Sequence, residues 1–335
     1  MGTVSKQIAA KSSPDVVICN EIFPHGLEIA QPIQKYIDLS DPFWKDPVTE
    51  VCTINGNTYF VNSLKGPWHN VDMVFYNTKI FADTNSPKDY YEQGKWTYEN
   101  LRKCMEYASK LGNQGGYVDP KMMCASMGAP LISYSSKTGT FAQNLTAATS
   151  AFEYCSLNVK DKLWNPILWH ANFGNGTVGL YMHSSYGCKY NGWFKDGVKS
   201  SIDAVPMPSS YKGVACKTSE SIRAYGIAKG ATNPEGAAYF LRYFLDYSYY
   251  ESAGAKCFLN DNLKKAYFDV MEKVSKEGIN YYFNEPIYDY TTCTADDLKF
   301  VVKEEPANVG TKLASFTNEF NAGISKLNEK IKSVG

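Results

Sequence analysis

Ala10-Lys11-Ser12-Ser13-Pro14-Asp15-Val16-Val17-Ile18-Cys19-Asn20 is the segment of this 335-residue chain in which the local structure changes most sharply. Residues 4–11 predict a short helix, and Pro14-Asp15 is a turn signal. The β-branched run at residues 16–19 predicts a strand. A helix that leads through a short loop into such a strand is typical of a layered α/β protein.

Strand and helix signals alternate through the rest of the chain. Asn55-Gly56 joins two β-rich runs, 51–54 and 57–62, and this dipeptide favours a two-residue hairpin turn. Further strands are predicted at residues 71–76, 178–182 and 201–206. Helices are predicted at residues 27–37 (with a break at Pro32), 96–111, 121–126, 142–156, 235–250, 259–276 and 310–332. Alternation of this kind predicts the α/β class.

Composition narrows the class of function. The 34 basic residues balance the 34 acidic ones, whereas a nucleic-acid-binding protein normally has a basic excess. The chain contains 25 tyrosines, and a tyrosine both packs against apolar surface and forms hydrogen bonds. No apolar run approaches the roughly 20 residues of a membrane-spanning helix. The composition therefore favours a globular protein that recognises neutral polar ligands.

The cysteines predict neither a metal site nor a disulfide framework. Their number, nine, is odd, and they are scattered from Cys19 to Cys293 without a Cys-x-x-Cys spacing. We expect them to be buried free thiols that pack as small apolar side chains. His25 and His170 have no partner at metal-ligand spacing. We therefore predict no metal and no cofactor.

Seven motifs resemble, in their order, those of family 1 extracellular solute-binding proteins, the capture subunits of bacterial ABC sugar importers. The first is Ser13-Pro14-Asp15-Val16-Val17. The others lie at 56–61 (GNTYFV), 75–81 (FYNTKIF), 90–98 (YYEQGKWTY), 173–182 (FGNGTVGLYM), 205–208 (VPMP) and 225–238 (YGIAKGATNPEGAA). The resemblance implies a two-lobed periplasmic-binding-protein-like fold of class II.

The resemblance also implies a division into lobes. Lobe 1 would comprise residues 1–78 plus 207–255, and lobe 2 residues 82–205 plus 258–335. The hinge crossings would lie near residues 75–81, 204–208 and 253–258. In this family a strand and a helix precede the Pro14-Asp15 segment, so the resemblance implies that the first strand and helix of lobe 1 are absent here. A chain without them could have lost the ability to bind.

The function implied by the resemblance is non-catalytic capture of a carbohydrate, such as an oligosaccharide, between the lobes. The partners would be that carbohydrate and the membrane permease subunits of an ABC importer, without nucleic acid. Such a protein works as a lipoprotein on the extracellular face of the membrane or in the periplasm, although the chain shows no export signal. The alternative is a carbohydrate-active enzyme, a glycoside hydrolase with two carboxylates in the cleft.

Candidate ligand-binding residues lie first in the loop after Gly66-Pro67. An aromatic face covers the C–H patches of a sugar, while amide and imidazole groups can bond to its hydroxyls. Trp68 could be such a platform or a structural plug. His69 and Asn70 follow it, and the resemblance places this loop at the edge of the cleft.

Two further groups of candidates follow strands. In open α/β sheets, ligands bind beyond the carboxyl ends of the strands. Ser184, Ser185 and Tyr186 come after the strand at 178–182. Asn20 and Glu21 end the strand at 16–19, where either could bond a ligand or cap a helix.

Two motifs suggest other activities. Gly174-x-Gly176-x-x-Gly179 matches the dinucleotide fingerprint, but here the strand follows the glycines instead of preceding them. His183-Ser184 lacks the Gly-x-Ser-x-Gly context of a hydrolase, and neighbours in one short run rarely form a nucleophile–base pair. We therefore predict neither a nucleotide site nor a catalytic serine.

Overall fold

The computed structural model describes residues 2–20, 23–166, 170–189, 194–254, 256–283, 291, 293 and 295–334. The strands in chain order are β1 (Val16–Asn20), β2 (Ala30–Gln31), β3 (Thr53–Ile54), β4 (Asn57–Thr58), β5 (Asp72–Asn77), β6 (Gln114–Tyr117), β7 (Ile132–Ser135), β8 (Thr140–Gln143), β9 (Val178–Ser184), β10 (Ile202–Pro206), β11 (Ser210–Tyr211), β12 (Val214–Ala215), β13 (Ser219–Ser221), β14 (Arg223–Ala228) and β15 (Asn280–Tyr282).

The α-helices in chain order are α1 (Gly2–Ala9), α2 (Pro47–Val51), α3 (Pro87–Glu92), α4 (Tyr98–Lys110), α5 (Pro120–Ser126), α6 (Leu145–Lys160), α7 (His170–Gly174), α8 (Asp196–Lys199), α9 (Pro234–Phe244), α10 (Tyr247–Ser252), α11 (Asp261–Glu277), α12 (Ala295–Val301), α13 (Val309–Ala314) and α14 (Thr317–Ser333). No helix in the described part of the chain is both long and apolar enough to cross a membrane. The mixed α/β class is confirmed.

Two main sheets organise these elements. The smaller has the order β1-β14-β2, with both pairings antiparallel. The larger has the order β10-β5-β9-β6, in which only the β6–β9 pairing is parallel. Helix α9 packs on β14 of the three-stranded sheet, whereas α4 and α11 pack on the four-stranded sheet.

The Pro14-Asp15 segment connects the start of β1 to a turn that is distant in sequence. The Asp15 carboxylate accepts hydrogen bonds from the backbone N–H groups of Thr232, at 2.8 Å, and Asn233, at 3.1 Å. These residues form the turn before α9, whose N-cap is Asn233. The Pro14-Asp15 turn therefore also holds two parts of the chain together that are distant in sequence.

Most of the predicted elements are confirmed, with one clear exception. The strands at 16–19, 71–76, 178–182 and 201–206 are present, as is the hairpin across Asn55-Gly56. The predicted helix at 27–37 is wrong. Residues 25–28 form a 3₁₀ turn and residues 30–31 pair with β14, while the Ile33 N–H bonds to the Thr58 carbonyl. Pairing distant in sequence thus overrides a helical spacing of apolar residues.

Two predicted helices are each divided in two. The segment 235–250 breaks at Asp246, whose side chain accepts from the Ser248 N–H and starts α10. The segment 310–332 breaks between Ala314 and Thr317. The helix predicted at 142–156 begins later, at Leu145, because residues 140–143 pair with β7. A side-chain cap sets the first of these boundaries and a strand pairing sets the third.

All nine cysteines are free thiols in the structure. Cys257 is half-buried and the others are buried. Burial raises the pKa of the Cys124 thiol well above its ordinary value, and the same cause acts on Cys52 and Cys155. These thiols therefore stay protonated and pack as apolar groups, as the sequence predicts.

Candidate ligand-binding site

Three chain segments run side by side where the two main sheets meet. Strand β13 pairs in parallel with β15, and Val71, just before β5, pairs with Glu220 of β13. The buried Asp72 carboxyl accepts from Ser219 Oγ at 2.6 Å and from the Tyr282 hydroxyl at 3.0 Å. Burial raises the pKa of Asp72 well above its usual range. One acidic side chain therefore ties all three segments together.

Two of the three predicted crossings overlap strands of the four-stranded sheet. Segment 75–81 begins within β5 and segment 204–208 begins within β10, and both strands belong to the four-stranded sheet. Segment 253–258 connects α10 to α11. The chain passes between the sheets through residues 61–71, since Val61 pairs with Tyr225 of β14 and Val71 with Glu220, and it passes back between β10 and β14. The division into lobes remains a prediction.

His69 lies in the interior of this junction, only 1% exposed. Its Nδ1 is 2.8 Å from Glu220 Oε2 and its Nε2 is 2.8 Å from Asp46 Oδ2. Burial by itself lowers the pKa of His69, but the two carboxylates outweigh burial and raise it to about 10. Both ring nitrogens thus donate to carboxylates. The imidazolium fixes the loop against β13 and leaves no ring nitrogen for a ligand.

Trp68, before His69, is half-buried and packs on the core, while its role as a ligand platform stays a prediction. One face of its ring stacks on Phe244, with centroids 4.8 Å apart and planes within 9°. Its Nε1 donates to the Phe244 carbonyl at 2.7 Å. The Arg223 guanidinium lies 6.0 Å from the ring centroid. Trp68 is thus held rigidly by the core while part of the ring remains exposed.

Asn70, after His69, links the loop to the carboxyl end of β1. Its Nδ2 donates to Asn20 Oδ1 at 3.2 Å, and Arg223 Nη1 donates to Asn70 Oδ1 at 3.2 Å. Asn20 is exposed and stands opposite Arg223 in the β1–β14 pairing. Asn20, Asn70 and Arg223 therefore form one polar row. Glu21 lies outside the described residues.

The residues after β9 approach the same loop from the larger sheet. Ser185 is buried, and its Oγ donates to the His69 carbonyl at 2.7 Å. Ser184 is half-buried and pairs with Asp72. Tyr186 is 39% exposed, in the 3₁₀ turn Ser185–Cys188. Of these three residues, Tyr186 is the most accessible to a ligand.

Sequence reasoning missed two basic residues at this site. Arg223 starts β14, and only the antiparallel register beside Asn20 brings it here. Lys189 donates through Nζ to the Pro67 carbonyl, and Nζ lies 4.7 Å from the Tyr267 ring centroid and 5.8 Å from that of Trp68. Burial lowers the pKa of Lys189 to about 7. The one feature of the sequence that pointed to Lys189 was its position three residues after Tyr186.

The structure gives little support to a nucleotide site, a metal site or a glycoside hydrolase site. Gly176 has φ +78° and forms the turn between α7 and β9, so the strand follows the glycines as expected. Within the described ranges, no group of three or more His, Cys, Asp or Glu side chains is arranged to hold a metal ion. Asp46 and Glu220 are nearly inaccessible and both are bonded to His69. They do not form a carboxylate pair that faces a pocket.

The fold is similar to that of solved solute-binding and sugar-binding proteins. One solved structure, an extracellular solute-binding protein from Staphylococcus aureus in complex with maltose, matches with a TM-score of 0.66 and 13% identity over 97% of this chain and 87% of that one. The cyclic α-maltosyl-1,6-maltose-binding protein of Arthrobacter globiformis matches with a TM-score of 0.62 and 14% identity, over 99% and 88%.

A third similar structure is the galacto-N-biose/lacto-N-biose I-binding protein of the ABC transporter of Bifidobacterium longum. Its TM-score is 0.59 and its identity 11%, over 100% of this chain and 86% of that one. The sequence itself matches no protein-family profile. It also matches no curated protein. At these identities the likeness establishes the fold, which is the periplasmic-binding-protein-like fold predicted from the motifs.

Proposed function

We propose that this protein is a non-catalytic solute-binding protein that captures a carbohydrate for an ABC importer. The fold supports this proposal, because the similar structures are named as sugar-binding proteins. The partners would be an oligosaccharide and the permease subunits. The protein would act outside the cell membrane, on its extracellular face or in the periplasm.

The observation that carries the proposal is the polar and aromatic surface at the junction of the two sheets. Asn20 comes from the three-stranded sheet, Tyr186 from the four-stranded sheet, and Trp68 and Asn70 from the loop between them. A sugar bound here would contact both sheets at once. Contacts made to both sides are the ones that favour a closed state over an open one.

The contacts divide by chemistry. Tyr186, and the part of the Trp68 ring that Phe244 does not cover, offer aromatic surface to the C–H patches of a sugar. Asn20 and Arg223 offer amide and guanidinium groups to its hydroxyls. Asn70 is only 5% exposed and positions both of them through its side-chain amide. His69 and Ser185 act indirectly, because both are buried and hold the loop through the His69–Glu220 pair and the Ser185–His69 bond. Ser184, the last residue of β9, and Glu21, which follows β1, remain proposed contacts from their places at the ends of strands.

Glycoside hydrolysis is the second candidate considered. That reaction needs two carboxyl groups about 5 to 10 Å apart that face the scissile bond. At the junction, the buried Asp46 and Glu220 neutralise an imidazolium instead. The described geometry therefore favours capture over hydrolysis.

Calorimetry with a panel of mono- and oligosaccharides tests this proposal. Trp68→Ala and Tyr186→Ala should each weaken binding of the best ligand by about 1 to 3 kcal/mol, because aromatic anchors dominate affinity at such sites. Phe300→Ala serves as the control, since Phe300 is 55% exposed and lies on α12, away from the junction. Unchanged affinity in both junction variants would refute the site. Release of reducing ends from the ligand would instead support the enzyme.

A further inference from the structure

A second surface feature lies on the three-stranded sheet's side of the molecule. A groove of about 340 Å³ runs between residues 35–44 and helix α9. Tyr36, Trp44 and Tyr239 provide its aromatic lining. None of these residues belongs to the junction described above. The volume is at the lower end of the range for small-ligand sites, about 300 to 1,000 Å³.

One residue of the aromatic lining, Tyr239, is strongly exposed. Tyr239 is 73% exposed, and Tyr243, one helical turn further along α9, is 59% exposed. Trp44, in contrast, is 4% exposed and forms a fixed floor. The Tyr243 ring packs edge-on against Tyr249, with centroids 5.7 Å apart, so Tyr239 alone presents an exposed ring beside the groove. An exposed ring beside a concave wall can serve as a stacking surface for a ligand.

The polar lining is preorganised. The Asp41 side chain accepts from the Phe43 N–H at 2.9 Å, and Arg242 Nη2 lies 3.6 Å from Asp41 Oδ2. The Arg242 guanidinium also lies over the Phe43 ring, 3.6 Å from its centroid. A carboxylate and a guanidinium are therefore held in place at the wall, and both side chains remain partly exposed.

The charges of the lining indicate which class of ligand fits. Lys35 and Arg242 contribute two positive charges, and Asp38, Asp41 and Glu235 contribute three negative ones, so the sum is −1. Anionic polymers and acidic headgroups are disfavoured by this surplus of carboxylates. A purely apolar partner would desolvate the carboxylates without bonding to them. A neutral polyhydroxyl chain can bond to carboxylates and guanidinium while its C–H faces cover the rings.

We propose that this groove is a second carbohydrate site, one that holds a neutral oligosaccharide outside the junction. The proposal rests on the proposed function for the class of ligand alone, since the groove shares no residue with the junction. Tyr239 is the exposed stacking surface, and Asp41 and Arg242 bond to hydroxyls at the wall.

The test is calorimetry with a panel of neutral linear tetrasaccharides, built from glucose, galactose, mannose or xylose, and an oligogalacturonate of equal length as the acidic comparison. Four proteins are compared: the unaltered chain, Tyr239→Ala, Trp68→Ala, and Phe300→Ala as the exposed-aromatic control. We expect a second, weaker binding event for at least one neutral tetrasaccharide. Tyr239→Ala should weaken that event about tenfold, the loss of one good aromatic contact, and leave junction binding unchanged.

The outcomes separate the groove from the junction. Trp68→Ala should weaken only the stronger event. If no neutral tetrasaccharide binds a second time, or if the second event survives in Tyr239→Ala, the groove proposal fails while the junction proposal stands. Binding of the oligogalacturonate alone would also overturn it. Sedimentation of the same proteins shows whether Tyr239→Ala instead dissolves a dimer, which would make the groove a self-association surface and refute the sugar site.

Discussion

Strands β1 and β9 both end at the junction proposed to bind a ligand, but their surroundings differ. β9 lies between β5 and β6, and Val178, Leu180 and Met182 are at most 1% exposed. β1 pairs with β14 alone among the described strands, and its Ile18 is 40% exposed. One strand is thus covered on both edges and on both faces, whereas the other has an open edge and one face in contact with solvent.

This difference shows which strand can open locally while the groups at the junction stay in place. An open strand edge is a place for local opening and for pairing with another chain. The polar row at the end of β1 nevertheless needs only the β1–β14 register, which sets Asn20 opposite Arg223. The larger sheet therefore supplies rigidity, and the smaller sheet supplies the exposed group Asn20 of the proposed site on a less protected strand.

The largest expected effect comes from truncating the two strands in the same way. Met182→Ala should lower the free energy of unfolding by about 2 to 5 kcal/mol, because it leaves a cavity in a closed core. Ile18→Ala should lower it by less than about 1 kcal/mol, since that side chain is already partly in water. Urea denaturation measures both changes. Equal losses would show that β1 is as enclosed as β9.

Hydrogen exchange sharpens the comparison at the level of the backbone. Amides of Val16–Cys19 should exchange at least about tenfold faster than those of Val178–Met182, because an edge strand opens locally while a central strand opens with the whole fold. Amides of β14, which has a strand on both sides, serve as the internal control. Equal, strong protection in β1 and β9 would contradict the comparison.

The junction between the two sheets gives a pH test. The pKa of His69 is raised from 6.5 to about 10, so its contribution to stability is complete below pH 6.5 and is lost as the pH rises toward 10. The pKa of Lys189 is lowered from 10.5 to about 7, so its burial destabilises the fold below pH 7 and ceases to do so as the pH rises toward 10.5.

These two trends oppose each other between about pH 7 and 10. Lys189→Met removes the contribution of Lys189. The stability of this variant should therefore fall across this pH range more steeply than that of the unaltered chain. Urea midpoints measured at several pH values give both profiles. Lys137→Met, which removes an exposed ammonium, should leave the profile unchanged. If Lys189→Met and the unaltered chain have parallel profiles, the Lys189 amine is not buried in solution.

The smallest expected effect on stability concerns the open edge itself. Ile18→Lys should change the free energy of unfolding by no more than about 0.5 kcal/mol, as is usual for surface positions. It should, however, reduce any self-association, because a lysine on an edge strand blocks pairing with another chain. Sedimentation velocity over a range of concentrations measures this. If the unaltered chain is already monomeric at high concentration, the edge is protected by other means.

Local signals predicted much of the fold because their causes are local. Asn55-Gly56 forms its hairpin turn with positive φ at both residues, and Thr97 caps α4 by accepting from the Asn100 N–H. The error at residues 27–37 has the opposite cause. There the apolar spacing fits a helix, but Ile33 and Ala30 bond to strands distant in sequence.

The candidate site likewise contains residues that local signals predict and residues that only distant contacts place. Trp68, Asn70, Asn20 and Tyr186 were predicted from their places after strands or after Gly66-Pro67. The burial of His69 was not predictable, because its partners Asp46 and Glu220 lie 23 and 151 residues away in sequence. Arg223 was missed for the same reason, since only strand register places it beside Asn20.

By itself, the sequence determined the α/β class, most strand positions and the order of motifs that resembles sugar-capture proteins. These properties follow from side-chain periodicity, turn chemistry and caps, each of which acts within a few residues. Only the tertiary structure decided which candidates are accessible and which are buried in the scaffold. Burial and the pKa of groups such as His69 and Lys189 depend on partners brought together by folding, and no local pattern encodes those partners.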